Sequence, residues 1–155
     1  MPRVRVQTED FNVGEELEHL RRDASGAWDT RVGAVASFIG TVRDMNEGSS
    51  VSGLTLEHYP GMTESSIEAI IDQAESRWPL YSVRVLHRVG PMLPADQIVF
   101  VGVSSAHREA ALEACAFIMD YLKTQAPFWK KEATPEGHRW VDARVSDEQA
   151  LQKWT

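Results

Sequence analysis

Phe117-Ile-Met-Asp-Tyr-Leu-Lys123-Thr-Gln-Ala-Pro127-Phe-Trp-Lys130-Lys131-Glu132 holds a helix, its stop and the start of a strand in one stretch. The helical run carries Lys123 into its last turn. Pro127 ends it, because proline has no amide hydrogen and biases its predecessor toward extended backbone. Two aromatics then lead into a lysine pair. The stretch therefore predicts a helix-to-strand junction lined with rings and ammonium groups. Such a junction suits a flat, anionic ligand and offers lysines for chemistry. The same pattern also describes lysines that complement a helix dipole beside a solvated Lys-Lys pair.

Working outward, residues 3–7 alternate as a first strand, and Asn12 caps a helix over about 13–23, with Glu15 in a capping-box position. Residues 33–43 and 54–59 read as strands joined by a polar loop at 44–52, which makes 33–59 a long hairpin. A second helix covers about 63–77 and ends at Trp78-Pro79. Residues 81–89 form a strand, Gly90-Pro91 a turn and 97–105 a strong apolar strand. Ser104 or Ser105 is expected to cap a third helix over about 106–124. Strands at 128–133 and 138–143 flank the turn Thr134-Pro-Glu-Gly137, and a short polar helix closes the chain from Ser146.

This order predicts an α+β fold of mostly antiparallel pairing with helices packed on the sheet. The 155 residues make one domain over 1–155, with 44–52 a mobile loop and 146–155 a C-terminal tail. Neither a Gly-x-Gly-x-x-Gly nor a Gly-x4-Gly-Lys-Ser/Thr stretch occurs, so the usual nucleotide cradles are missing.

Charge and composition narrow the function classes. With 16 basic and 23 acidic side chains the formal net charge is −7, which disfavours nonspecific nucleic-acid binding. The start Met1-Pro-Arg-Val-Arg-Val enters a strand without a signal core, and no apolar run reaches the length of a membrane span, so a cytoplasmic protein is expected. The single cysteine, Cys115, rules out an internal disulfide and any Cys-x-x-Cys pair. The five histidines form no i,i+4 pair, so neither a metal nor a cofactor is expected.

Four basic groups stand at element ends, where functional side chains concentrate: Arg43, His107-Arg108, the Lys123/Lys130 pair and Arg144. His107 and Lys123 are 16 positions apart on one helix, roughly 24 Å at the helical rise. They cannot serve one small-molecule site within a single chain, and a two-fold dimer would bring one copy's helix start to the other's helix end. Asp120 and Glu132 could orient lysines, with a helix-surface pairing as the default reading. Met62, Met92 and Met119 read as gap-fillers, and Trp78 and Trp140 as core or interface.

The segments 56–62, 99–108, 117–123 and 126–132, extended by 134–137 and 140–144, closely resemble the molybdopterin synthase catalytic (large) subunit family. The resemblance runs from about residue 3 to 154. It implies an α/β hammerhead-type core with an added antiparallel β subdomain. It implies a sulfurtransferase of molybdenum-cofactor biosynthesis that converts cyclic pyranopterin monophosphate to molybdopterin by installing two dithiolene sulfurs. The sulfur would come from the C-terminal thiocarboxylate of a small ubiquitin-like partner with a Gly-Gly tail, in a heterotetramer built on a homodimer of large subunits. By the same resemblance Lys123 and Lys130 are the catalytic pair, and Thr41, Val42, Arg43, His107, Arg108, Lys131, Glu132 and Arg144 bind substrate. A non-catalytic module that holds the pterin or the partner's tail, and a Schiff-base lysine enzyme, are the alternatives.

Overall fold

Two four-stranded sheets organise the chain, and the computed structural model describes residues 2–46, 48–141 and 145–155. In chain order the first elements are β1 (Val4–Gln7), α1 (Val13–Leu20), β2 (Ala34–Thr41), β3 (Met45–Asn46), β4 (Ser49–Ser50), β5 (Gly53–His58) and α2 (Met62–Arg77). There follow β6 (Leu80–Arg88), β7 (Gly90–Met92), β8 (Gln97–Ser105), α3 (Arg108–Gln125), β9 (Phe128–Thr134), β10 (Gly137–Val141) and α4 (Val145–Gln152). The first sheet runs β1-β6-β8-β2 and the second β10-β9-β5-β7, while β3 and β4 pair as a small hairpin. Only β1 and β6 pair in parallel among the described strands; the other ladders are antiparallel. The predicted α+β class and its mostly antiparallel pairing are what the chain adopts.

The first sheet is covered on both faces, which explains the unbroken apolar run in β8. Val99, Val101 and Val103 face α2 and α3, meeting Ile67, Ile71, Phe117 and Ile118 in the main core. Phe100, one residue out of phase, points the other way onto Leu20 of α1 and Leu86 of β6. A smaller core of Val42, Leu54, Leu56, Val89 and Met92 joins the second sheet to the first. A buried ion pair crosses beneath α1, where Arg84 of β6 binds Glu16 and also donates to the carbonyl of Pro2.

The expected hairpin over 33–59 does not form. β2 pairs with β8, whereas β5 pairs with β7 and β9 in the other sheet. A register shift between Gly40 and Thr41 bends the end of β2. Beyond it, Val42 exchanges backbone hydrogen bonds with the 95–96 turn (Val42 N to Asp96 O, 2.9 Å; Ala95 N to Val42 O, 2.8 Å). The 44–52 segment, read as a loop, carries β3 and β4. Gly90-Pro91, read as a turn, lies in β7, which pairs with β5.

The cap of α3 also differs from expectation. His107 is the N-cap residue, and its side chain makes no capping bond. Ser105 Oγ instead donates to Pro79 O at 2.7 Å, and buried Ser104 Oγ has no partner among the described residues. Asn12 caps α1 as read, accepting from Glu15 N at 3.1 Å.

Gly33 fixes how closely β2 approaches the start of α3. A Cβ there would lie 2.1 Å from the Ala106 carbonyl oxygen. Backbone cannot yield as a flexible side chain can, so Gly33→Ala should destabilise the fold by about 2–3 kcal/mol. A urea-unfolding midpoint unchanged from wild type would contradict that close packing.

Candidate active site

The helix-to-strand junction at 117–132 places its side chains on a cavity of about 590 Å³ between the two sheets. Helix α3 brings Lys123 to the cavity from its last turn, together with Met119 and Leu122. Pro127 and the extended Ala126 end the helix and start β9. Because a strand alternates faces, Phe128, Lys130 and Glu132 line the cavity while Trp129 and Lys131 lie on the opposite face of β9. Thr41, Val42 and Arg43, just past the bend of β2, close a third side. Lys123 and Arg43 are exposed, Lys130 is half-buried, and Val42 is buried.

Three predicted binding residues thus stand apart from this cavity for reasons of periodicity and length. Lys131 lies over the Trp140 ring, 5.4 Å from its centroid. His107 and Arg108 sit at the far end of the 18-residue α3 and do not line the cavity. Arg144 lies outside the described residues. Asp120 is not engaged with Lys123: it accepts from Trp154 Nε1 at 2.7 Å and lies 3.6 Å from Lys153 Nζ. Trp154, wedged edge-on against Trp78 and Phe117, ties α4 to the core, and Asp147 of α4 reaches the cavity. Met92 and Met119 are buried as fillers, but Met62 and Trp140 are exposed.

Glu132 is buried on the cavity wall with its carboxylate in use. Asn46 Nδ2 donates to both oxygens at 3.1 and 3.0 Å, and Arg139 donates to Oε1 at 3.1 Å. Arg139 also donates to the Asn46 carbonyl at 3.1 Å. The carboxylate therefore pins β3 and its hairpin onto the second sheet. Nothing in the local pattern around Asn46 signals this contact, whose partners are 86 positions apart in sequence.

His87 was singled out by no motif, yet it is buried on the cavity wall. Its ring stacks on Phe128, with centroids 3.8 Å apart and planes at 19°. Nδ1 lies 2.8 Å from the Arg88 carbonyl oxygen. Burial pushes the imidazole down to about 3, against the pull of that carbonyl, and the charges of Lys123, Lys130 and His58 add to the depression. The one available sequence signal was a histidine facing inward on a strand otherwise buried from Val83 to Leu86.

That depressed value has a pH consequence. Above about pH 6.5 the group is neutral in both folded and unfolded chains. As pH falls below that value the unfolded chain takes up a proton that the fold excludes, so stability declines until about pH 3. Between pH 7.5 and 5.0 the loss should be about 2 kcal/mol, read from urea midpoints. His87→Phe should remove that part of the slope; an identical slope in the variant would contradict the assignment.

Burial raises the Cys115 thiol to about 11, which makes it a poor nucleophile, and it lies inside the main core. Among the described residues no group of three or more His, Cys, Asp or Glu side chains is placed to hold a metal ion. No helix among them is long and apolar enough to cross a membrane.

The family model described as MoaE protein matches residues 6–125. The molybdopterin synthase catalytic subunit of Vibrio cholerae is 62% identical over 98% of this chain and 97% of its own length. The Escherichia coli protein of the same description is 57% identical, with 98% of this chain and 97% of its own length covered. Among solved structures, the molybdopterin biosynthesis MoaE protein of Burkholderia ambifaria superposes with a TM-score of 0.82 at 50% identity, covering 99% of this chain and 98% of that one.

Proposed function

The chain belongs to the MoaE protein family, and on that premise we propose how its cavity acts as a molybdopterin synthase catalytic subunit. The substrate is cyclic pyranopterin monophosphate, and the sulfur donor is the C-terminal thiocarboxylate of a small partner subunit. The observation that carries the reading is the convergence of Lys123, Lys130 and Arg43 on one cavity of about 590 Å³. Its apolar walls, including Phe128, Met119 and Leu122, suit a flat ring. The three cations suit its phosphate and the incoming thiocarboxylate.

In each of two rounds the thiocarboxylate sulfur forms a bond to a carbon of the substrate's pyran–phosphate system, and a carbon–oxygen bond of that system breaks. The partner is then held as a thioester. Water cleaves its acyl–sulfur bond, leaving sulfur on the pterin and returning the partner as a carboxylate. Lys123 acts as the acid/base or polarising ammonium at the reacting carbon, and Lys130 stabilises the negative charge that develops on the donor or leaving oxygen. Thr41, Val42 and Arg43 form the substrate wall, and by the family resemblance Arg144 joins them in binding substrate. Glu132 serves by holding the β3–β4 hairpin against the cavity.

His107 and Arg108 reach a substrate only from a second copy, since one α3 holds them and Lys123 at opposite ends. The working assembly is therefore a homodimer of this chain with one small subunit on each copy. Such an assembly works in the cytoplasm.

The test is reconstitution of this chain with cyclic pyranopterin monophosphate and a thiocarboxylated partner, with product read by mass spectrometry. Dithiolene product that depends on the thiocarboxylate is expected. Binding of both components with no sulfur transferred would reduce the chain to a binding module.

A further inference from the structure

The cavity wall carries a buried acceptor that the roles above leave unused. His87 sits on β6, a strand held between β1 and β8, with His87 opposite Val6 on one side and Val99 on the other. Its Nδ1 faces the Arg88 carbonyl oxygen at 2.8 Å. A carbonyl only accepts, so Nδ1 carries the hydrogen and Nε2 presents a bare lone pair. Stacking on Phe128 fixes the ring plane. Among the described residues Nε2 has no hydrogen-bond partner, though the residue is only 8% exposed and lines the cavity.

The cations beside it cannot duplicate this acceptor. Lys123, Lys130 and Arg43 are donors only, and they recognise the anionic and carbonyl parts of a ligand. The Glu132 carboxylate is already occupied by Asn46 and Arg139. A pterin presents N–H groups as well as acceptors, and an N–H turned toward the cations would go unpaired on binding. Asp147 and the hydroxyls of Thr41 and Thr124 also line the cavity, while His87 Nε2 is the acceptor whose position is fixed by burial and ring stacking.

We infer that His87 Nε2 accepts a hydrogen bond from an N–H of the bound heterocycle and so determines specificity for a ring that carries one. The inference rests on the substrate reading proposed above and names a contact within it. The imidazole remains neutral in the neutral pH range because burial holds its basicity far below normal. It therefore adds no further positive charge to a site already rich in cations.

The test uses the full chain and cyclic pyranopterin monophosphate in equilibrium binding, with partner affinity measured alongside. His87→Phe keeps a stacking ring and removes the nitrogen, and should weaken pterin binding at least tenfold while partner affinity stays unchanged. His87→Gln, whose amide oxygen reaches toward the Nε2 position, should recover most of the loss. Unaltered pterin binding by folded His87→Phe would overturn the inference. So would a loss confined to partner affinity, which would assign the acceptor to a peptide N–H of the partner's tail. Wild-type chain offers the same test without a variant: an N-methylated pterin monophosphate should bind at least tenfold more weakly, and equal binding overturns the assignment. Failure of the wild-type chain to bind any pterin would instead count against the substrate reading itself, and the inference would fall with it.

Discussion

Lys123→Ala should slow dithiolene formation by on the order of a hundred- to ten-thousandfold, the range expected when a positioned acid/base is removed. The side chain is exposed at the last turn of α3, so its truncation leaves no hole in the core and the melting temperature should stay within a few degrees. Substrate affinity should fall far less than rate, because Lys130 and Arg43 still supply positive charge to the cavity. Lys123→Arg keeps the charge but replaces the amine with a guanidinium that holds its proton throughout. Recovery by Lys123→Arg would identify the residue as a charge polariser; no recovery would identify proton transfer. Lys130→Ala should also be severe, and the double variant should be little worse than either single one if the two lysines act in one step. Wild-type turnover in Lys123→Ala would remove the residue from the chemistry altogether.

The second large effect concerns the fold. Glu16→Ala should cost about 3–5 kcal/mol, since it leaves the Arg84 guanidinium buried without its carboxylate. The side chains of Arg84 and Glu16 are 5% and 10% exposed, so water cannot replace the lost partner. A loss of this size is a large part of the 5–15 kcal/mol by which a domain is ordinarily stable. The Glu16→Leu/Arg84→Met double variant removes both charges and should regain much of the stability. Equal instability of single and double variants, measured by urea unfolding, would show that the pair contributes by shape rather than charge.

Local chemistry made the elements legible. Asn12 at the start of α1, Trp78-Pro79 at the end of α2 and Pro127 at the end of α3 are signals that act through their own backbone. Placement of Lys123 and Lys130 together was equally local, because only a short turn separates the helix end from the strand start. Their meeting with Arg43 depended on how β2 ends, and that was not local. The bend at Gly40/Thr41 sends the chain toward the 95–96 turn, so β5 finds its partners in β7 and β9 rather than in β2. Apolar alternation in two adjacent segments does not distinguish those pairings.

The contacts that surround His87 and Glu132 were hidden for a related reason. His87 reads as one inward position on a buried strand until Phe128, from a distant strand, is stacked on it. Glu132 was legible as a candidate, but its partners Asn46 and Arg139 come from other strands and left no local signal. Period-two alternation separates Lys130 from Lys131 in β9, although the resemblance had placed both in the substrate site. The 24 Å implied by helix length likewise separated Lys123 from His107, and the cavity contains the first and not the second.

The most direct measurement is a crystal structure of the chain with cyclic pyranopterin monophosphate bound. The account predicts the pterin in the cavity between the sheets, with Lys123 and Lys130 at its reacting edge and His107 and Arg108 supplied by a second copy. A pterin bound elsewhere, with both lysines pointing to solvent in a preparation that still turns over, would contradict it.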